Sequence, residues 1–182
     1  MTKDEIRKEI LALRADMDKE EAMLASQIIC RKLMQTKEYE EAEDICLYSP
    51  IRNEVDILML AEIAMEDGKK VWLPKTKGEI IDFHLYEGED KMEKGPFNVM
   101  EPVSEDILTP TDKTLIVMPG AVFTRFRDRI GYGGGYYDKY LDANPMCKTI
   151  AVCYDLQVVE EIPTEAHDRR PDYVICETAI FG

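Results

Sequence analysis

Short apolar runs separated by helical stretches are what most restrict the fold of this chain. Ile45-Cys46-Leu47-Tyr48, Val71-Trp72-Leu73, Leu115-Ile116-Val117-Met118, Thr149 to Tyr154 and Tyr173 to Cys176 each read as a short buried strand. Ile80 to Tyr86 alternates and suits an edge strand. Pro74 is expected to stop the Val71–Leu73 strand. Between the strands lie helix-like segments, including Val55 to Glu66 ending at Gly68 and a short one reaching about Leu141. Strands alternating with helices predict a three-layer α/β/α fold with a largely parallel central sheet. In such folds ligands sit beyond the carboxyl ends of the strands, so the segments after Tyr48, Leu73 and Met118 should converge on a site.

The N-terminal region predicts a helical pair, residues 1–36, packed on a single domain spanning 1–182. Thr2 and Glu5 have capping-box spacing, which starts a helix at Lys3. Ile6, Ile10, Leu13 and Met17 form its apolar stripe. The second helix runs from Lys19 to about Thr36, with Met23, Ile28 or Gln27, and Cys30 to Leu33 expected inward. The stretch Glu87 to Pro110 reads as turn-rich. No internal repeat or long linker interrupts the pattern.

Charge narrows the partners. With 23 basic and 37 acidic residues the formal net charge is −14, a field that repels nucleic acid and anionic membrane surfaces. An anionic ligand therefore needs a local basic site. The five cysteines are odd in number and form no Cys-x-x-Cys pair, which suits a reduced, cytoplasmic setting. No run of apolar residues is long enough for a membrane span or signal core, so a cytoplasmic protein without membrane attachment is expected. Only two histidines occur, which argues against zinc.

The local basic site is legible. Gly131, Gly133, Gly134 and Gly135 fall within five residues directly before a helix-like run. Such a loop lets backbone amides approach an anion, with the amino end of the next helix aimed at it. Arg125, Arg127 and Arg129 alternate just upstream and suit a polyphosphate. Asp138, in the first helical turn, suits a cap or a Mg²⁺ ligand beside phosphate. The segment is neither a Walker loop nor a dinucleotide fingerprint. From the residues alone it is a phosphate-binding loop of another kind.

Met118-Pro119-Gly120-Ala121-Val122-Phe123, followed by Arg129-Ile130-Gly131-Tyr132-Gly133-Gly134-Gly135-Tyr136-Tyr137-Asp138, resembles the signature of 5-formyltetrahydrofolate cyclo-ligases. Lys3 to Arg7, Asn53 to Asp56, Gly95 to Phe97 with Glu101-Pro102, and Ile162 to Asp168 resemble further ordered motifs of that family. Two positions depart from it. Thr124 stands where the family usually has Asp, and Arg127 where it favours Gly, so the loop between Phe123 and Arg129 is expected to order differently.

The resemblance implies ATP-dependent conversion of 5-formyltetrahydrofolate to 5,10-methenyltetrahydrofolate, with ADP and phosphate released. The formyl oxygen is a poor leaving group. Phosphorylation makes it a good one, and N10 then closes the ring. By the same resemblance Lys3, Arg7, Arg129, Ile130 and the backbone of Gly131, Tyr132, Gly133, Gly134, Gly135, Tyr136 and Tyr137 bind ATP. Asp138 and Asp168 hold Mg²⁺. Glu54 binds the pterin, Phe97 stacks on it, and Tyr137 meets the formyl region; Pro119 and Phe123 shape the pocket. Arg129, Tyr137 and Asp138 are the implied catalytic residues, in a monomer or weak homodimer. Two alternatives stay open at this point: a sugar-phosphate isomerase-like enzyme using the same loop, and a non-catalytic folate- or nucleotide-binding relative. An isomerase has no need of the Lys3/Arg7 pair; turnover separates an enzyme from a binding relative.

Overall fold

The computed structural model describes residues 1–182. Helices α1 (Lys3–Ala15), α2 (Lys19–Met34) and α3 (Lys37–Glu41) precede strand β1 (Asp44–Cys46). Then follow α4 (Leu60–Glu66), β2 (Lys70–Lys77), β3 (Ile80–Leu85), β4 (Met92–Lys94), β5 (Met100–Pro102), β6 (Thr114–Met118), β7 (Val122–Thr124) and β8 (Arg129–Ile130). The chain closes with α5 (Tyr136–Ala143), β9 (Lys148–Val152), β10 (Val158–Val159), β11 (Tyr173–Ile175) and β12 (Ile180–Phe181).

Seven strands form the main sheet in the order β12-β11-β9-β6-β1-β2-β3. The five inner strands are parallel, and β3 and β12 close the edges antiparallel. Strand alternation sorts the core into two layers. Ile45, Leu47, Val71, Leu115, Val117, Ile150 and Val152 face Ile29, Leu33, Leu60 and Ala64 of α2 and α4. Cys46, Trp72, Ile116, Met118 and Ala151 face the other way, toward Leu141 and the tyrosines of α5. This is the expected three-layer arrangement. No helix is long and apolar enough to cross a membrane.

The leading helices part company. α2 covers the main sheet, whereas α1 packs through Ile10 on Ala121, Val122 and Ile130 beside a small sheet of order β10-β7-β8. The two helices thus clasp different parts of the domain.

Several local expectations are corrected. The inner face of α2 is Ala22, Ala25, Ser26, Ile29, Cys30 and Leu33, while Met23 and Ile28 are exposed. Small residues let the helix lie close to the sheet, so the seam follows them and not the larger side chains. Leu13 is exposed, and its place on the inner face of α1 goes to Arg14, 1% exposed. Pro74 does not stop β2. Pairing of β2 with β1 ends at Trp72, so the proline nitrogen faces beyond the end of β1, where no ladder bond is lost. On the same side two residues on, the Thr76 N–H is taken by the buried Glu101 carboxylate at 3.1 Å. The helix expected from Val55 begins only at Ile57, as a 3₁₀ turn running into α4. The turn-rich stretch contains the β4–β5 hairpin.

Candidate functional site

The site is built at the carboxyl ends of β1, β6 and β9, where the main sheet meets the small one. Helix α1 begins at a complete capping box between Thr2 and Glu5, so its first turn is fixed. Lys3, Arg7, Ile10 and Arg14 follow at helical spacing on one face. Each cation grips a different part of the site.

Lys3 donates to Asp168 Oδ2 at 2.7 Å and to Glu165 Oε2 at 2.9 Å. Burial opposes its charge, but bonds to Asp168 and Glu165 leave the ammonium pKa raised. Burial also opposes ionisation of Asp168, yet Lys3 and the Glu165 N–H hold that carboxyl below its ordinary range. Arg7 Nε donates to the Gly131 carbonyl at 2.8 Å, and its guanidinium also meets Asp4. The N-terminal basic pair is therefore not a merely solvated helix face: it spans from the C-terminal motif to the glycine loop.

That loop runs from β8 into α5. Gly133 and Gly135 take φ of +97° and +64°, values that L side chains resist, and Gly135 is the N-cap of α5. The amino end of α5 opens onto the loop. Arg129 lies beside it, with Nη1 on the Pro119 carbonyl at 3.3 Å and Nη2 on Asp138 Oδ1 at 3.2 Å. Its Nε is buried without a partner. Asp138 Oδ1 also accepts the Arg169 N–H at 3.2 Å. Asp138 thus pairs with arginine and does not cap α5.

Asp138 and Asp168, expected to share a metal, have different immediate partners. The acidic and imidazole groups that crowd together are Glu165, His167 and Asp168, with ligand atoms within 4.8 Å of one another. His167 is exposed, its Nε2 3.5 Å from Glu165.

The arginine cluster is split. Arg129 alone faces the glycine loop. Arg127 turns away, donating to the carbonyls of Pro171 at 3.4 Å and Asp172 at 3.1 Å, and Arg125 lies over the Phe126 ring. The β7–β8 turn sends these tips outward. Both departures from the family pattern fall in it. Thr124 Oγ1 accepts the N–H groups of Phe126 and Asp128 and donates to Asp128 Oδ2, all within 3.2 Å, so a hydroxyl orders the turn. Arg127 has φ +71°, the conformation that makes glycine the easier residue there.

Glu54 faces the loop from the other side, 8% exposed. Its Oε1 accepts from the Tyr132 hydroxyl at 2.5 Å and its Oε2 from the Ile51 N–H at 2.8 Å. Burial pushes its carboxyl above the usual range, against the pull of Tyr132, the Ile51 N–H and the Arg14 and Arg52 charges. Tyr137 is half-buried, packed edge-on to Phe83 at 6.4 Å. Burial, reinforced by Glu54 and Cys46, raises its phenol well above the ordinary value, so it stays a neutral donor. Ile130, Pro119 and Phe123 are largely or fully buried beneath the site. Tyr136 reaches out to the Gly78 carbonyl at 3.3 Å.

Phe97 is the outlier. It is 78% exposed, with φ +59°, at the tip of the β4–β5 hairpin. It belongs to no core. Ser49 Oγ bonds the Met100 carbonyl at 2.7 Å, tying this hairpin to the loop that carries Glu54.

Arg14 and Gln157 escaped the sequence reading, and Asn53 entered it only as the first residue of a motif. Arg14 donates Nη1 to the Tyr132 hydroxyl at 2.8 Å and Nε to the Arg52 carbonyl at 3.2 Å. Asn53 Nδ2 satisfies the Arg14 carbonyl at 2.8 Å, near the end of α1, from a backbone at φ +61°. Gln157 donates to the Gly120 and Ala121 carbonyls at 2.9 and 3.0 Å. The available signal was the spacing of Arg14 from Lys3, Arg7 and Ile10, which the hydrophobic stripe through Leu13 obscured.

The sequence profile of the 5-formyltetrahydrofolate cyclo-ligase family matches residues 1–177. The 5-formyltetrahydrofolate cyclo-ligase of Mus musculus is 25% identical, over 95% of this chain and 90% of its own. That of Haemophilus influenzae is 27% identical, over 91% and 92%. The solution structure of Aquifex aeolicus 5,10-methenyltetrahydrofolate synthetase superposes with a TM-score of 0.86 at 31% identity, covering 99% of this chain and 92% of that one. With that profile spanning nearly its whole length, the chain belongs to the 5-formyltetrahydrofolate cyclo-ligase family.

Proposed function

We propose that this enzyme converts 5-formyltetrahydrofolate and ATP to 5,10-methenyltetrahydrofolate, ADP and phosphate. The observation that carries the reading is the convergence around one glycine loop of a basic helix face, a helix amino end, and a fixed buried carboxylate. Phosphate-binding and pterin-binding chemistries then lie side by side.

On this reading the formyl oxygen attacks the γ-phosphorus in line and the bond to ADP breaks. N10 next attacks the activated formyl carbon, and its N–H proton is lost. The carbon–oxygen bond breaks with phosphate leaving. Such transfer depends on positioning and charge neutralisation more than on a protein nucleophile. Lys3, Arg7 and Arg129 neutralise the polyphosphate while the Gly131–Tyr137 amides hold it. Glu54 accepts from the donor edge of the pterin, with Oε1 and Oε2 each already fixed by one bond. Phe97 stacks on the ring, and neutral Tyr137 donates to the formyl region.

Asp138 and Asp168 offer hard oxygen donors, each with one oxygen engaged by a cation and the other available, which fits Mg²⁺ held by few carboxylates plus phosphates. When bound, Mg²⁺ supplies charge neutralisation across the phosphates. The enzyme works in the cytoplasm as a monomer or weak homodimer, its five cysteines unpaired and its net charge of −14 set against nucleic-acid partners.

The test mixes protein, 5-formyltetrahydrofolate and Mg²⁺ with and without ATP. A near-ultraviolet methenyl band that grows only with ATP is expected. Its absence at adequate protein concentration overturns the proposal.

A further inference from the structure

Tyr132 occupies an unusual position. It is the one residue with a side chain inside the glycine run Gly131–Gly135, yet its hydroxyl ends on Glu54, on the opposite wall. The residue is 38% exposed, and the Arg14 guanidinium carbon lies 5.8 Å from its ring centroid. Its anchors are the hydroxyl and the Arg14 guanidinium over the ring. A phenol has one proton to give and lone pairs to accept with. Here it gives to Glu54 and accepts from Arg14, so cation, phenol and carboxylate form one chain.

Arg14 is held independently of that chain. Nε bonds the Arg52 carbonyl, and the Asn53 amide grips the Arg14 carbonyl, at two successive residues with φ of +48° and +61°. Arg14 Nη2 is buried without a partner, a donor left over for a second arrangement of the same groups.

We propose that Tyr132 couples the two substrates: a polyphosphate drawn to the glycine amides moves the backbone of Tyr132, and the hydroxyl passes that movement to the Glu54 carboxylate. Arg14 acts as the positioning residue that holds the phenol in register. The inference rests on assigning the glycine loop to the nucleotide and Glu54 to the folate. Each ligand then prefers the arrangement that the other one selects, and the coupling is reciprocal.

The test measures binding of 5-formyltetrahydrofolate by titration calorimetry, with and without a non-hydrolysable ATP analogue and Mg²⁺. In the unaltered protein the analogue should tighten folate binding by about fivefold or more, within the usual range for coupled sites, and folate should tighten the analogue equally. Tyr132→Phe should still bind both ligands, with the ratio reduced to less than about twofold. A tyrosine with a merely structural role would lower folate affinity equally in both states and leave the ratio intact. Arg14→Met should also lower the ratio, and Arg14→Lys should restore part of it, which keeps the test decisive if Tyr132→Phe does not fold. An unaltered protein that binds both ligands with no mutual effect overturns the coupling alone, as does a ratio unchanged in the variants. Failure of the unaltered protein to bind either ligand overturns the functional reading and the coupling with it.

Discussion

Replacing Arg14 by Met tests the charge logic of the site through stability. The side chains are similar in length, so packing along α1 is largely kept. What goes is the guanidinium: its bonds to the Arg52 and Gly120 carbonyls, its bond to the Tyr132 hydroxyl, and its charge near Glu54. Removing one partner of a buried charge pair costs about 3–5 kcal/mol; here the pair is bridged by a phenol, which favours the lower end, about 3 kcal/mol near neutral pH. At about 2–4 °C per kcal/mol for a chain of this size, the midpoint should fall by roughly 6–12 °C.

The sign with pH follows from Glu54. Burial raises its folded-state carboxyl, so the folded protein keeps a proton that the unfolded chain has already released. Its contribution is whole below the unfolded carboxylate range and is lost as pH rises through the raised value. Arg14 limits that rise, so Arg14→Met widens the loss at neutral pH. In acid, with Glu54 protonated, only the three lost hydrogen bonds remain, and the charge contribution is gone. Urea unfolding of wild type and variant at about pH 5 and about pH 7.5 should show the larger difference at the higher pH. Placing Arg14→Met on a Glu54→Gln background should shrink its neutral-pH cost toward the acid value. Equal losses at both pH values and in both backgrounds would refute the argument.

Arg127→Gly should be more stable than Arg127→Ala by about 1–2 kcal/mol in urea unfolding, because both lose the bonds to Pro171 and Asp172 but only glycine relaxes at φ +71°. Gly120→Ala should destabilise by about 1–3 kcal/mol, since its Cβ would lie 2.4 Å from Cζ of the fully buried Phe123; a thermal midpoint equal to wild type would show that Phe123 can yield. All five cysteines are buried and unpaired, and burial pushes Cys147 and Cys176 up to about 11 and Cys30 up to about 12. A disulfide thiol reagent should therefore label none of them in the native protein near neutral pH and all of them in urea.

The sequence by itself determined the layered fold. Runs such as Leu115–Met118, apolar on both faces, have no low-energy place except between two helical layers, and that rule needs no long-range knowledge. It also determined the glycine loop and the start of α1, because capping and left-handed backbone are local properties of Thr2, Glu5, Gly133 and Gly135. Only the tertiary structure decided which residues complete the site. Arg14 has no role until α1 lies across Gly120 and Tyr132, and Leu13 reads as core until that packing turns it outward. Pro74 likewise reads as a strand end until β1 proves shorter than β2. The cation partners of Asp138 and Asp168, Arg129 and Lys3, likewise emerge only in the fold. Apart from Arg129 and Asp138, nine residues apart, the deciding partner lies far along the chain, and a buried charge takes its meaning from whichever partner the fold brings within hydrogen-bonding distance.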